Sequence, residues 1–349
     1  MDVYKIALTG GPCSGKSTFI KKLKKYYEDL NYKVFVAAEA ATDNILGGID
    51  FKLANDEIIF QSFILKHQLF DINNINRAIA LNKDQNCIVL YDRGILDNKA
   101  YLSKPEYVDY LFENENIDEI NSLDEYDLVL DLVSLAVCDP DRYNLGNKAR
   151  NETIEEARSI DLKTTNAWVG HNNMHIVRSN MSIEEELNII INIINNLINK
   201  REIKKVERKI INKTLDDYKG YNDSNSRLFD IEEYILNVKS PKIKVYKRTY
   251  KNKNSYVLEM IKKEKDKNII ISSKKIDLNT FLKLINIYKV KTIYKYKQLS
   301  IIENYNQYNI KFYDDVTLLE QVNNTYNKNN IKKIEKAKRL LKYKKYANI

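Results

Sequence analysis

Five short apolar runs punctuate the first 200 residues, at 5–9, 34–38, 87–91, 126–133 and 174–178. Between them apolar positions recur at helical spacing. Phe19, Ile20 and Leu23 stand among lysines, and Ile58, Ile59, Phe63, Ile64 and Leu69 mark a helix within 51–82. Further helices are expected over 155–165 and 184–200. Buried strands alternating with amphipathic helices predict β-α-β units and an α/β fold, a doubly wound parallel sheet over 1–200. From residue 201 the rhythm changes. Runs with period two, few glycines and few prolines occupy 206–211, 229–236, 243–250, 256–261, 269–272, 292–299, 308–313 and 316–319. They predict antiparallel strands. A helix over 278–287 follows the capping residue Asp277. The expected second domain, 201–330, is an antiparallel β-barrel-like α+β unit, and 331–349 forms a basic C-terminal helix.

The length of 349 residues agrees with two domains, and 44% apolar residues supply a core for each. No run of about 18 apolar residues occurs, so no membrane span is expected. The first residues, Met1-Asp2-Val3-Tyr4-Lys5, do not read as a secretory signal. Cys13, Cys87 and Cys138 are too few for a disulfide framework and are not spaced for metal. They point to a reducing, cytoplasmic setting. Charge divides the chain more sharply than composition does. Residues 1–200 carry 21 basic and 31 acidic side chains, net −10, whereas 201–349 carry 36 and 17, net +19. The back half is suited to a polyanion, and the opposite signs predict that the halves dock through salt-sensitive contacts. The plainer alternative is a solvated lysine-rich surface. The acidic stretch 113–125 reads as solvated.

The chemistry starts where the first run ends. Gly10-Gly11-Pro12-Cys13-Ser14-Gly15-Lys16-Ser17 fits G-x-x-x-x-G-K-[ST], the Walker A phosphate loop, with Thr18 behind it. Gly10 and Gly15 let the backbone curl so that its N–H groups face a phosphate, and the following helix offers the positive end of its dipole. Lys16 is expected on the outer phosphates and Ser17 on Mg²⁺. Glu39 closes the second run, where it would take a proton from a substrate hydroxyl or order a metal-bound water. Asp92 closes the third run, the place from which the Mg²⁺ water shell is held, and Arg93 stands beside it for phosphate or substrate. Asp97 follows one turn later. Beyond the fourth run, Arg142, Arg150 and Arg158 are the candidate lid arginines that meet a transferring phosphoryl group. His171 and His175 lack ligand spacing and read as structural. ATP and GTP both remain open, because Asn147-Lys148-Ala149-Arg150 lacks the Asp of a guanine-reading N-K-x-D.

The series GGPCSGKST, Glu39-Ala40-Ala41-Thr42, YDRGILDNKAYL, LVSLAV and NLGNKARNETIEEARSIDLKTTNAWVGH, followed by a basic β-rich half, resembles the TRPL translocation defect protein family. That family joins an AAA-like P-loop domain to a CYTH-like (triphosphate tunnel) domain. The resemblance spans most of 4–325. It implies ATP or GTP binding with Mg²⁺ in the first domain and a phosphate-rich ligand, such as a phosphoinositide headgroup or polyphosphate, in the second. The front half is also similar to P-loop nucleoside and ribosylnicotinamide kinases, which keeps a small-molecule kinase as the rival reading.

Lys242, Lys244 and Arg248 share a parity, as do Lys295 and Lys297. Lys244, Arg248, Lys295 and Lys297, with Lys209 and Lys262, form the candidate anion-binding set. Facing inward they would line a barrel lumen; facing outward they would make a headgroup surface and a peripheral membrane contact. Nucleic acid is not expected, since no reading motif occurs. Against the tunnel pattern, Lys205 stands where the first Glu of Glu-x-Glu-x-Lys belongs, ahead of Glu207 and Lys209. Lys311 stands in Ile310-Lys311-Phe312 where an acid is expected, and Val322 ends Leu319-Glu320-Gln321-Val322 in place of a second Glu. Lysines kept and carboxylates lost imply a domain that binds phosphates without metal-dependent hydrolysis. A tripolyphosphatase is the remaining alternative.

Overall fold

The computed structural model describes residues 1–143, 153–221, 224–236, 238, 240–264, 267–290 and 292–326. Arg150, with the segment 147–150, and the basic helix expected over 331–349 lie outside the described residues. The first sheet contains β1 (Val3–Thr9), β2 (Lys33–Ala37), β3 (Cys87–Asp92), β4 (Leu128–Val133) and β5 (Met174–Arg178) in the order β5-β4-β1-β3-β2, all parallel. Every side chain of β3 and β4 is buried, because helices cover both faces of a parallel sheet. On one face α1 (Lys16–Asp29) brings Phe19, Ile20 and Leu23 onto Ile6, Leu8 and Leu90. The other face takes Leu65 of a long helix, Leu111 and Trp168 against Ala7, Val89 and Val129. The helix expected within 51–82 is interrupted. After α2 (Ala40–Leu46) come α3 (Phe51–Ala54) and α4 (Glu57–Leu81), separated at Asn55, whose φ of 50° ends α3. Asp50 and Asp56 each cap the N-terminus that follows.

The chain continues through α5 (Pro105–Asn114), α6 (Glu119–Leu123), the single turn α7 (Leu135–Cys138), α8 (Ile154–Ala167) and α9 (Ile183–Ile198). Capping boxes at Thr153 and Ser182 start the last two. The second sheet follows, built from β6 (Val206–Ile211), β7 (Ser226–Ile235), β8 (Lys242–Tyr250), β9 (Lys253–Glu264), β10 (Lys267–Ile276), β11 (Thr292–Glu303), β12 (Asn306–Phe312) and β13 (Thr317–Val322). Its antiparallel order is β10-β9-β8-β7-β11-β12-β13-β6. α10 (Leu278–Ile287), capped by Asp277, packs Phe281 on Leu236 and Val245. The sheet is a curled half-barrel, in keeping with the barrel-like antiparallel unit expected. Among the described residues no ladder joins its edge strands β10 and β6, although the Ile203 N–H reaches the Ile270 carbonyl at 3.0 Å.

The two sheets share one core. Phe229, Ile231, Tyr250 and Val257 of the second sheet belong to the same apolar cluster as Trp168 and Tyr126. A short strand, β14 (Thr325–Tyr326), returns from the back half to extend the first sheet beside β5. Charged contacts reinforce the seam, and they correct the reading of 113–125 as solvated surface. Glu119 is buried against Arg227 (2.7 Å) and also holds Lys99. Asp124 is buried against Arg248. Arg227 further donates to the Ala167 carbonyl at 2.8 Å and Arg248 to that of Gly170 at 2.7 Å. Pairs buried this deeply are screened far less by salt than the surface contacts the charge split suggested.

Candidate nucleotide-binding site

The phosphate loop runs from the carboxyl end of β1, the central strand, into α1. Its glycines are required by the surroundings. Gly10 has φ +126°, and a Cβ there would lie 2.0 Å from the Leu132 carbonyl of β4. Gly15 has φ +83°. Lys16 is buried and folds back over the loop, donating to the Gly10 and Gly11 carbonyls (2.9 and 3.0 Å) and to Ser14 Oγ (2.9 Å). Burial, with Arg93 nearby, pushes its ammonium down to about 8, so an anion brought to this loop would favour the charged form.

Because β3 pairs directly with β1, Asp92 reaches the start of α1. Ser17 Oγ donates to Asp92 Oδ2 at 2.9 Å, while buried Asp92 Oδ1 has no hydrogen-bond partner among the described residues. Burial pushes this carboxyl up. A hydroxyl and an orphaned carboxylate oxygen side by side fit the water shell of Mg²⁺, a hard cation that keeps several waters and takes one or two carboxylates. Ser17 and Asp92 would hold it.

Glu39, at the end of β2, faces the same space. Arg93 Nε donates to Glu39 Oε1 at 2.9 Å, Thr42 donates to Oε2 at 2.7 Å, and Arg93 Nη1 reaches the Gly10 carbonyl at 3.3 Å. Burial alone would raise the Glu39 carboxyl, but Arg93 and Lys16 outweigh it and hold the group at about 2. Arg93 adopts φ +78°, uncommon for a residue with a side chain, and its guanidinium lies 5.3 Å from the Tyr101 ring centre. Asp97 accepts from Thr9 and from Trp168 Nε1, both at 2.6 Å, and so ties β1 to the end of α8.

The structure thus brings Lys16, Ser17, Glu39, Asp92 and Arg93 to one edge of the sheet, around the loop formed by Gly10, Gly11, Pro12, Cys13, Ser14 and Gly15. Thr18 follows on the exposed first turn of α1. Arg158 is exposed and donates to the Ala136 carbonyl at 2.7 Å. Arg142 is engaged by Asp139 at 2.6 Å. One contact was not anticipated. Asp161 of α8 is fully buried and its Oδ1 accepts from the backbone N–H of Gly11 and of Ser134, each at 2.8 Å.

The basic residues of the second sheet divide between its faces. Lys209, Lys262, Lys295 and Lys297 are exposed, and Lys297 pairs with Asp230 at 2.6 Å. Arg248 is the seam anchor described above. Its pairing with Asp124 takes it out of the expected anion-binding set. Lys244 does point into the concave side, where it meets Glu233 at 3.1 Å and Glu259 at 3.8 Å. The other concave groups were missed. Arg208 and Lys311 both hold buried Glu320, at 2.7 and 3.1 Å, and Lys204 acts on the same carboxylate. Burial opposes ionisation of Glu320, but Lys311, Arg208 and Lys204 together keep it charged. Tyr296 donates to Glu233 at 3.2 Å. The missed signal was strand parity: within β6, Arg208 alternates opposite to Glu207 and Lys209.

Among the described residues no helix is long and apolar enough to cross a membrane. No curated protein matches the chain. Among solved structures it is similar to the hypothetical protein NE1496, at 9% identity and TM-score 0.23, over 37% of this chain and 81% of that one. It is also similar to the PH1819 protein from Pyrococcus Horikoshii OT3, at 10% identity and TM-score 0.25, over 41% and 77%. Both likenesses are too distant to bear on function. A family model described as AAA domain matches residues 5–186, which hold the phosphate loop, Glu39, Asp92, Arg93 and Asp161. That match covers just over half of the chain, and by it the protein belongs to the AAA domain family.

Proposed function

We propose that this protein binds a nucleoside triphosphate with Mg²⁺ on its phosphate loop, turns it over slowly, and pairs that site with a phosphate-binding second sheet. The observation that carries the reading is the Ser17–Asp92 contact at 2.9 Å beside a buried Lys16. Lys16 neutralises the outer phosphates, and Ser17 and Asp92 take the cation. Mg²⁺, when bound, supplies charge for the β- and γ-phosphate oxygens. Slow turnover is supported by Glu39, which its contact with Arg93 makes a weak proton acceptor at about 2. On the second sheet, Arg208, Lys244 and Lys311, with Lys204 just ahead of β6, form the anion site. An entering polyphosphate or phosphoinositide headgroup would take over cations now shared with Glu233, Glu259 and Glu320. The CYTH-like and TRPL-like identity belongs to this proposal.

The test is nucleotide loss by the full chain with Mg²⁺ and ATP or GTP, beside Lys16→Ala, with nucleosides, ribosylnicotinamide and inositol phosphates added in turn. Tight binding with turnover that no acceptor stimulates, and binding lost in Lys16→Ala, is the expected result. Rapid consumption driven by one acceptor would replace this reading with a small-molecule kinase. That second reading is favoured by Glu39 and Arg93 standing together at the strand ends, where an acceptor hydroxyl would arrive.

A further inference from the structure

The turn between β11 and β12 has two residues, Asn304 and Tyr305, with φ of 50° and 62°. Such a turn places both central residues in the left-handed region, and Asn-Gly is its preferred sequence. Asn304 suits the first position. Tyrosine at the second is a bulky residue where glycine would be unstrained. An observed outlier of this kind points to a side chain retained for its contacts.

Those contacts lead to the phosphate loop. Tyr305 is buried, and its hydroxyl donates to Asp161 Oδ2 at 2.6 Å. The Arg178 guanidinium lies 5.2 Å from its ring centre, and its carbonyl accepts from Thr325 Oγ1 at 2.9 Å. The other oxygen of Asp161 accepts from the Gly11 and Ser134 N–H groups. Ser134 also donates from Oγ to the Pro12 carbonyl. Two hydrogen bonds therefore connect a turn of the second sheet to the backbone of the loop. The approach is close, since a Cβ on Gly11 would meet Asp161 Cβ at 2.7 Å. A displacement of Asp161 is passed to Gly11 without a side chain between them. Burial pushes the Asp161 carboxyl up, and its three donors favour the ionised form that grips the loop.

We propose that Tyr305 is a positioning residue for the phosphate loop, acting through Asp161, so that the second sheet sets nucleotide affinity. The proposal rests on nucleotide binding at that loop. By linkage, a ligand that moves the β11–β12 turn changes nucleotide affinity, and nucleotide changes the affinity for that ligand by the same factor.

The test uses the full chain as wild type, Tyr305→Phe, Asp161→Asn and the double variant. Mg-ATP and Mg-GTP are titrated calorimetrically, amide exchange is followed for the peptide covering residues 8–18, and melting is recorded alongside. Tyr305→Phe keeps the ring and removes only the hydroxyl. It is expected to weaken nucleotide binding about 10-fold, within the usual span of coupling between sites, and to speed loop exchange, with only the modest fall in melting temperature that an unmatched Asp161 oxygen brings. The double variant is expected to be no weaker than Asp161→Asn alone, as for two residues acting along one path. Wild-type affinity and wild-type loop exchange in Tyr305→Phe would overturn the proposal, as would additive effects. If the wild type binds neither nucleotide, the nucleotide reading falls. The exchange comparison then decides the positioning alone: faster loop exchange in Tyr305→Phe sustains it and unchanged exchange overturns it.

Discussion

Three carboxylates around the phosphate loop have different roles because their neighbours differ. Glu39 is matched by Arg93 and stays ionised. Asp161 is filled by three donors. Asp92 has one oxygen on Ser17 and one buried without a partner among the described residues. A buried oxygen left unmatched costs free energy unless something fills it. Among these three, Asp92 is therefore the one whose charge a cation would use. Asp92→Asn keeps the shape and the acceptor for Ser17 while removing that charge. The expected outcome is an about 10- to 100-fold loss of nucleotide affinity in Mg²⁺, the range seen when a group supporting a metal is removed. In EDTA the variant should equal the wild type. Calorimetry in the two buffers measures both. A variant that keeps the full Mg²⁺ dependence would take the cation away from Asp92.

Among the elements, those of the first sheet were legible and those of the second were legible only in outline, for physical reasons. Strands buried on both faces are mostly apolar, so β3 and β4 stand out as runs despite Asp92 and Asp131, and β1 does so beyond Lys5. Gly10 and Gly15 are dictated by backbone geometry that other residues cannot adopt, so the loop could be read from spacing alone. The second sheet is half-buried, and a shift of one residue exchanges its faces. Choosing Lys209 for the anion-binding set therefore passed over Arg208, which holds Glu320. The seam was hidden by distance along the chain. Glu119 and Arg227 lie 108 residues apart and look like surface charges until the fold buries them. Removing one member of a buried pair leaves the other uncompensated, typically at about 3–5 kcal/mol. Glu119→Gln strands both Arg227 and Lys99 and should lose stability of that size in urea unfolding at pH 7. Arg227→Met leaves Glu119 with Lys99 and should lose less. Equal, small losses would mean that packing, not this pair, holds the seam.

On the scale of the whole molecule, protons report how the two sheets bury their polar groups, and two groups do so with opposite sign. His171 donates from Nε2 to the Tyr126 carbonyl at 2.9 Å and accepts at Nδ1 from the Asn173 N–H at 3.1 Å, so it is neutral. Burial, with Arg248 of the second sheet and Lys204 nearby, pushes it down from 6.5 to about 3. Between those values the unfolded chain binds a proton that the folded chain refuses, and stability falls as pH falls. Glu186 is buried, with Ser179 donating at 3.1 Å, and burial pushes its carboxyl up from 4.5 to about 7. Between those values the folded chain holds a proton that the unfolded chain releases, and stability falls as pH rises. Several other carboxylates are raised as well, so the total curve mixes both signs. Differences against variants isolate each one. The stability of the wild type minus that of His171→Gln should shrink by about 1.4 kcal/mol per unit as pH drops below 6.5. The same difference against Glu186→Gln should shrink at a similar rate as pH climbs from 4.5 to 7. Urea unfolding of the three proteins from pH 4.5 to 7.5 supplies both curves. Slopes of one sign for both variants would mean that these side chains are not buried as the shared core requires, since burial is what drives an imidazole down and a carboxyl up.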